Sequence, residues 1–376
     1  MDNAQSMIAA ARELKIKLEN QEFVHQRCAA HILNIAVQHG LQLSDPIIKK
    51  VRDFVVKIRQ STRLSDSIRT ICQLEKIPEL KPDLDVETRW NSTYLMLNKF
   101  HRMRNILDIL VAKNRELGIF YIQDNEWQNI ENIIQLLEPI FIATEILSSS
   151  TYPTISDVRL IFIGLLRHLE SFIQNQNNLE DCVMANSISF KLKEYWKNVE
   201  ESTTIATLLD PRSKTKTFQD YDKRDEAISS LRNLMPLYKI NNQLENTRIN
   251  TQSQENKRSY FEFLLTDQTS EERPTDDEIT RYISAPIINT NPLEWWQRFE
   301  KDFPILSQIA LCYLSIQGSS VPSEQAFSMA SNTITKIRCN LKPETARAVM
   351  CLKSWIQQVR DKKESDKFEE SFFLEC

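Results

Sequence analysis

The chain has 376 residues, of which 41% are hydrophobic. That is enough for a sizeable core and for roughly two or three domains. Four glycines are too few for an all-β protein or a Gly-rich nucleotide loop, since both need positive φ at their turns. A net charge of −4 excludes a global basic field, so any nucleic-acid contact has to come from local patches.

Residues 4–18 are rich in Ala and Leu and read as a helix, with Asp2 or Asn3 as its cap. A second helix is expected over 27–41, with Ala30, Leu33, Ala36 and Val37 on one face. A third is expected from Pro46 to Leu64, where Ile47, Ile48, Val51, Phe54, Val55 and Ile58 recur at three and four. Pro82 and the alternation of Leu84 and Val86 make 81–90 a candidate strand or extended segment. Helical periodicity resumes over 93–210, and the strongly apolar stretch from Ile130 to Leu147 predicts a buried helix.

Residues 239–278 crowd Asn, Gln, Ser, Thr and Glu together and read as a flexible linker. Order returns at Ile279. Over 303–317, Leu306, Ile309, Ala310, Tyr313 and Leu314 share a face, and Gly318 is expected to stop that helix. Pro322 and Ser323 start the next helix, and Pro343 opens a last one striped by Val349, Leu352, Ile356 and Val359. The seven cysteines are scattered and form no C-x-x-C, which suits free thiols in a reducing compartment. No apolar run approaches ~18 residues, so no membrane contact is expected.

Four blocks stand in a recognisable order. The first is Met1-Asp2-Asn3-Ala4-Gln5-Ser6-Met7 followed by Arg27-Cys28-Ala29-Ala30-His31-Ile32-Leu33-Asn34. The second is Asp85-Val86-Glu87-Thr88-Arg89-Trp90-Asn91-Ser92-Thr93-Tyr94. The third joins Tyr195-Trp196 to Leu209-Asp210-Pro211-Arg212. The fourth runs through Pro292-Leu293-Glu294-Trp295-Trp296, Phe303-Pro304 and Ser320-Val321-Pro322-Ser323-Glu324-Gln325-Ala326-Phe327-Ser328. Together they resemble the hAT (hobo/Activator) transposase superfamily of the BED zinc-finger type, over nearly the whole chain.

The resemblance implies a mainly α chain: a remnant of an RNase H-like α/β domain, interrupted by a large helical insertion and followed by a helical dimerisation region. The corresponding boundaries are 1–95 for the partial RNase H-like region, 96–238 for the insertion, 239–278 for the linker, 279–360 for the dimerisation region and 361–376 for a tail. The family's chemistry is phosphoryl transfer by three carboxylates and two Mg²⁺ or Mn²⁺ ions. Asp2 matches the second carboxylate and Glu324 the third. On the residues alone, Asp2 also reads as a helix cap and Glu324 as a first-turn acid. Only Met1 stands before Asp2, so the first carboxylate and the first strands are expected to be missing and this chain to need no cofactor. The expected function is a transposase-derived protein that dimerises and binds DNA without cutting it. The alternatives are a fragment of an active two-metal transposase and a helical scaffold without DNA contact.

The same resemblance assigns Cys28, His31, Arg89 and Trp90 to DNA. Cys28 and His31 fall short of zinc's four ligands and read otherwise as a buried thiol and a helix-face imidazole. Trp90 is either a stacking platform for an unpaired base or a core residue, and Arg89 meets either a phosphate or a neighbouring acid. Trp295, Trp296, Phe303, Leu306, Tyr313 and Phe327 are the dimerisation candidates, with a second copy as partner. Two departures affect the DNA approach: Gln325-Ala326 replace the family's basic residue beside Glu324, and Ala330-Ser331 replace its Ala-Gly pair. A nuclear location follows from the resemblance.

Overall fold

The computed structural model describes residues 5–17, 26–86, 89–148, 155–175, 179–218, 220–250, 275–334, 341–356 and 359. It divides into two compact units, residues 1–319 and 320–376. In the first unit the helices are α1 (Gln5–Lys17), α2 (Ala29–Leu41), α3 (Asp45–Arg59), α4 (Thr62–Leu74), α5 (Trp90–Arg102), α6 (Arg104–Lys113) and α7 (Asp124–Ser148). They continue with α8 (Ile155–Asn175), α9 (Leu179–Leu208), α10 (Tyr221–Asn250), α11 (Thr275–Ser284), α12 (Pro292–Arg298) and α13 (Pro304–Leu314). The second unit holds α14 (Val321–Thr333) and a helix over 343–356, called α15. The protein is mainly α.

The apolar periodicity of α3 does what its spacing predicts: Ile47, Ile48, Val51, Phe54, Val55 and Ile58 are all buried. Phe54 lies edge-on to Phe100 at 5.8 Å and stacks on Phe120 at 5.3 Å, while Phe100 stacks on Trp127 at 5.3 Å. This aromatic chain joins α3, α5 and α7. Helix α9 packs along both α8 and α2. Gly40 allows the closeness of α2: a Cβ there would stand 2.5 Å from Ile188 Cγ1. A second core gathers Leu209, Leu231, Tyr282, Trp296, Phe303, Leu306 and Leu314 from α10 to α13 and the segment before them.

Two backbone bonds reach far along the sequence. The first N–H of α2, on Ala29, donates to the Gly318 carbonyl at 3.1 Å, and that of α8, on Ile155, donates to Ile316 at 3.0 Å. Helix N-termini carry N–H groups without intrahelical acceptors, and the segment after α13 supplies acceptors for two of them.

Several expectations change. The single helix expected over 46–64 is two, because the Ser61 hydroxyl accepts from Leu64 N–H and starts α4 afresh. Residues 81–86 are extended but pair with no strand; among the described residues there is no strand element at all. The described part of the α/β remnant expected over 1–95 is made of helices joined by loops and this extended segment, without a strand. In the segment the alternation is inverted, with Leu84 and Val86 exposed and Asp85 buried. Helix α10 runs through the first part of the expected 239–278 linker; residues 251–274 lie outside the described residues. Helix α13 ends at Leu314 with Ser315 as its cap, so Gly318 does not stop it, and no described glycine has positive φ. Residues 279–319, the first part of the region expected over 279–360, pack into the first unit.

Candidate functional site

The 85–94 block is organised around one carboxylate. The Asp85 side chain is fully buried, and Arg52 donates to both its oxygens through Nε and Nη2 at 2.8 Å each. Thr93 Oγ1 donates to Oδ2 at 2.8 Å. Burial by itself raises the Asp85 carboxyl, but the bonds from Arg52 and Thr93 outweigh it and hold the group below its ordinary 3.8. The ion pair pins the extended segment to α3 and to the first turn of α5. The Ser92 hydroxyl accepts from Val86 N–H at 2.8 Å and donates to the Arg89 carbonyl at 2.7 Å, which closes the turn.

That turn sends two adjacent candidates in opposite directions. Arg89 is the cap residue of α5; it is exposed, and its guanidinium has no partner among the described residues. Trp90 is only 2% exposed and meets Phe141 edge-on at 6.5 Å, with Tyr94 stacked on the same ring at 4.7 Å. Of the two readings for Trp90, this placement is that of a core residue, and its ring offers no open face for a base to stack on.

Cys28 is buried beside the start of α2 and donates to Ser319 Oγ at 3.8 Å; His31 is half-buried on α2 itself. Asp2 lies outside the described residues. Glu324 is exposed in the first turn of α14, where its Oε1 accepts from Ser320 Oγ at 2.7 Å. Among the described residues no three His, Cys, Asp or Glu side chains come together as metal ligands. Glu324 is a single donor there, and no two-ion centre is assembled from these residues.

The dimerisation candidates also separate. Trp295, Trp296, Phe303 and Leu306 are buried within the second core, and Tyr313 packs against it half-buried. Tyr282 holds this aromatic group together, with ring centres 5.7 Å from Trp295, 4.7 Å from Trp296 and 6.2 Å from Phe303. Phe327 is 75% exposed. Four of the six candidates thus build the first unit's interior.

The third block is tied into the fold at several points. The Asp210 side chain is fully buried and accepts from Ser156 Oγ at 2.8 Å, Arg212 N–H at 2.9 Å and Arg212 Nη2 at 2.6 Å. Arg212 Nη2 also reaches Asp157 at 2.8 Å. Its bonds to Asp210, reinforced by the charges of Asp210 and Asp157, hold the guanidinium firmly protonated against the cost of burial. The Pro211 carbonyl accepts from Ile288 N–H, and the Leu209 carbonyl from Trp296 Nε1 at 2.7 Å.

Lys214, which the sequence reading passed over, completes the junction. It is 1% exposed, with a φ of 49°, and Nζ donates to the carbonyls of Tyr282 and Ala285 at 2.6 Å each. These carbonyls lie at the carboxyl end of α11, where a helix favours a cation. Burial pulls the ammonium down to about 8. Its only sequence signal is a lysine two residues after the Asp-Pro-Arg run.

Residues 26–136 match the family described as the ZBED1 RNase-like helical domain, and residues 278–356 match the hAT family C-terminal dimerisation region. A Zea mays protein named as an AC transposase is 27% identical over 401 residues, covering 96% of this chain and 48% of its own length. The zinc finger BED domain-containing protein RICESLEEPER 3 of Oryza sativa subsp. japonica is 26% identical, over 91% of this chain and 48% of its own length. DAYSLEEPER of Arabidopsis thaliana is 22% identical, over 76% and 42%. The chain spans about half the length of the relatives it matches. With the four sequence blocks in order and both domain types matched, the chain is similar to hAT transposases over most of its length, and its C-terminal part matches that family's dimerisation region.

Proposed function

We propose that this chain is the helical, self-associating part of a transposase-related protein. It dimerises through its C-terminal unit, touches DNA through the amino end of α5, and cuts no DNA by itself. The observation that carries the reading is the composition of the C-terminal unit's surface. Phe327, Ile334, Leu352, Trp355, Ile356 and Val359 are all exposed there, Trp355 at 62%, while Ala346 is the one buried hydrophobic residue among those described. An apolar set of this size rimmed by charge marks an interaction surface, since each large side chain contributes roughly 1.5–3 kcal/mol when covered. A second copy of the chain is the partner that the dimerisation region supports.

Substituting Trp355→Asp together with Leu352→Asp is expected to convert a dimer to a monomer in light scattering while leaving the helical circular dichroism unchanged. A double variant that elutes and scatters as the parent does would sink the assignment of this face.

The DNA part of the proposal rests on Arg89, whose guanidinium has no partner among the described residues, at a position held through Ser92 and Asp85. Each phosphate contact releases counterions, so Arg89→Ala is expected to weaken duplex binding and to lower the salt slope by roughly one unit. Fluorescence anisotropy across a salt series reads both quantities, and an unchanged slope would remove Arg89 from the interface. The same reading places the protein in the nucleus. Mg²⁺ or Mn²⁺ would serve Asp2 and Glu324 only alongside further carboxylates than the described residues provide.

A further inference from the structure

Helix α8, helix α9 and the amino end of α10 enclose a cleft of about 410 Å³. A neighbouring cleft of about 340 Å³ shares Arg159, Glu200 and Lys223 with it. Arg159 is 2% exposed, and its guanidinium carbon lies 5.5 Å from the centre of the Trp196 ring and 4.5 Å from that of Phe218. A guanidinium so deeply buried needs its N–H groups taken up. Here Nη1 reaches the Glu200 carbonyl at 3.2 Å and Thr204 Oγ1 at 3.5 Å, and Nη2 reaches Glu200 Oε1 at 3.5 Å. These are long beside the roughly 2.7–2.9 Å of a charge-assisted bond. Arg159 Nε is buried with no acceptor among the described residues, and so is Thr217 Oγ1, which lines the larger cleft.

The lining carries Arg159, Arg167 and Lys223 against Glu170, Glu200 and Asp220, and Lys193 beside Glu170 leaves one cation in excess. Glu200 is held by Lys223 at 2.7 Å, Glu170 by Lys193 at 3.1 Å, and Asp220 accepts from the Asp222 N–H at the start of α10 at 3.1 Å. Arg167, two turns along α8 from Arg159, lines the cleft without a side-chain partner among the described residues. The amino end of the 30-residue α10 adds its positive dipole at the same place. Spare donors and spare positive charge therefore converge on a concave surface that carries one flat indole wall.

We propose that this cleft binds a small phosphorylated molecule, with the phosphate held by Arg159, Arg167 and the Thr217 hydroxyl and the organic body against Trp196. The site shares no residue with the proposed dimer and DNA faces and does not depend on them. Its volume suits a metabolite-sized ligand and a single phosphate group.

Calorimetric titration of the full chain with inorganic phosphate, at constant ionic strength set by chloride, tests the proposal. Saturable binding is expected. It should weaken at least about tenfold in Arg167→Gln and in Thr217→Val, a loss in line with one charge-assisted bond. Arg167 is exposed and Thr217 half-buried, and neither side chain has a partner among the described residues, so the thermal midpoint of each ligand-free variant should stay close to the parent's; this separates lost binding from lost folding. The absence of saturable heat at millimolar phosphate, or equal affinity in parent and variants, would overturn the site. So would binding to a DNA oligonucleotide that is lost in Arg167→Gln while phosphate neither binds nor competes, because the cleft would then serve the polymer.

Discussion

Asp210→Ala is expected to lower the unfolding free energy by roughly 3–5 kcal/mol, the cost of removing one partner from a buried ion pair. The carboxylate is the acceptor for Ser156 Oγ and for three N–H groups of Arg212. Alanine would remove an acceptor from that hydroxyl and an ion-pair partner from Arg212, which would keep Asp157. The damage would spread, because the same loop receives Trp296 through the Leu209 carbonyl and Ile288 through that of Pro211. Asp210→Asn keeps the shape but not the charge and is expected to cost less, roughly 1–3 kcal/mol. Chemical denaturation of both variants measures the difference. A loss under about 1 kcal/mol for alanine would show that the loop is held by its backbone bonds and not by its carboxylate.

Trp296→Ala is expected to cost roughly 3–5 kcal/mol and to act on folding, not on association. The side chain is fully buried, lies 4.7 Å from Tyr282 and 4.9 Å from Trp295 between ring centres, and donates from Nε1 to Leu209. Trp296→Phe keeps part of the volume and removes the bond, so it isolates the hydrogen bond from the packing. The contrast with Trp355 is the informative part. Truncating Trp296 should lower the unfolding midpoint of the chain at any protein concentration, whereas changing Trp355 should alter its mass in solution and leave the first unit intact. If Trp296→Ala gave folded monomers of parental stability, Trp296 would be an interface residue after all.

How much of this was legible in the sequence depends on the range over which each cause acts. Helices such as α3 carry their signal locally, as apolar residues at three and four, and that signal predicted their buried faces. The 81–86 segment misled because Leu84 and Val86 alternate as in a strand, while the residue that is buried is Asp85, and its partner Arg52 is 33 positions away. The polar stretch from 239 read as a linker because composition ignores propagation. Ala227, Leu231 and Met235 anchor α10 on the core, and each further turn then adds one bond per residue fixed. Among the dimerisation candidates, large apolar side chains announced only that they need cover. Whether the cover is the same chain or another copy was not written in the residues: Trp296 and Trp355 are alike in chemistry and opposite in exposure. Resemblance found Arg89 and Asp210, but Lys214 and Ser156 are defined by contacts that only the fold makes.

The two long-range backbone bonds at the starts of α2 and α8 set an order of events during synthesis. Ala29 and Ile155 find their acceptors on Gly318 and Ile316, which a ribosome adds last of all the first unit's parts. At roughly 5–20 residues per second the amino end of α2 exists for about fifteen seconds to a minute before residue 318 is made. Completion of this unit therefore waits on the segment after α13, and these two helix ends lack their acceptors until residues 316–318 have been made.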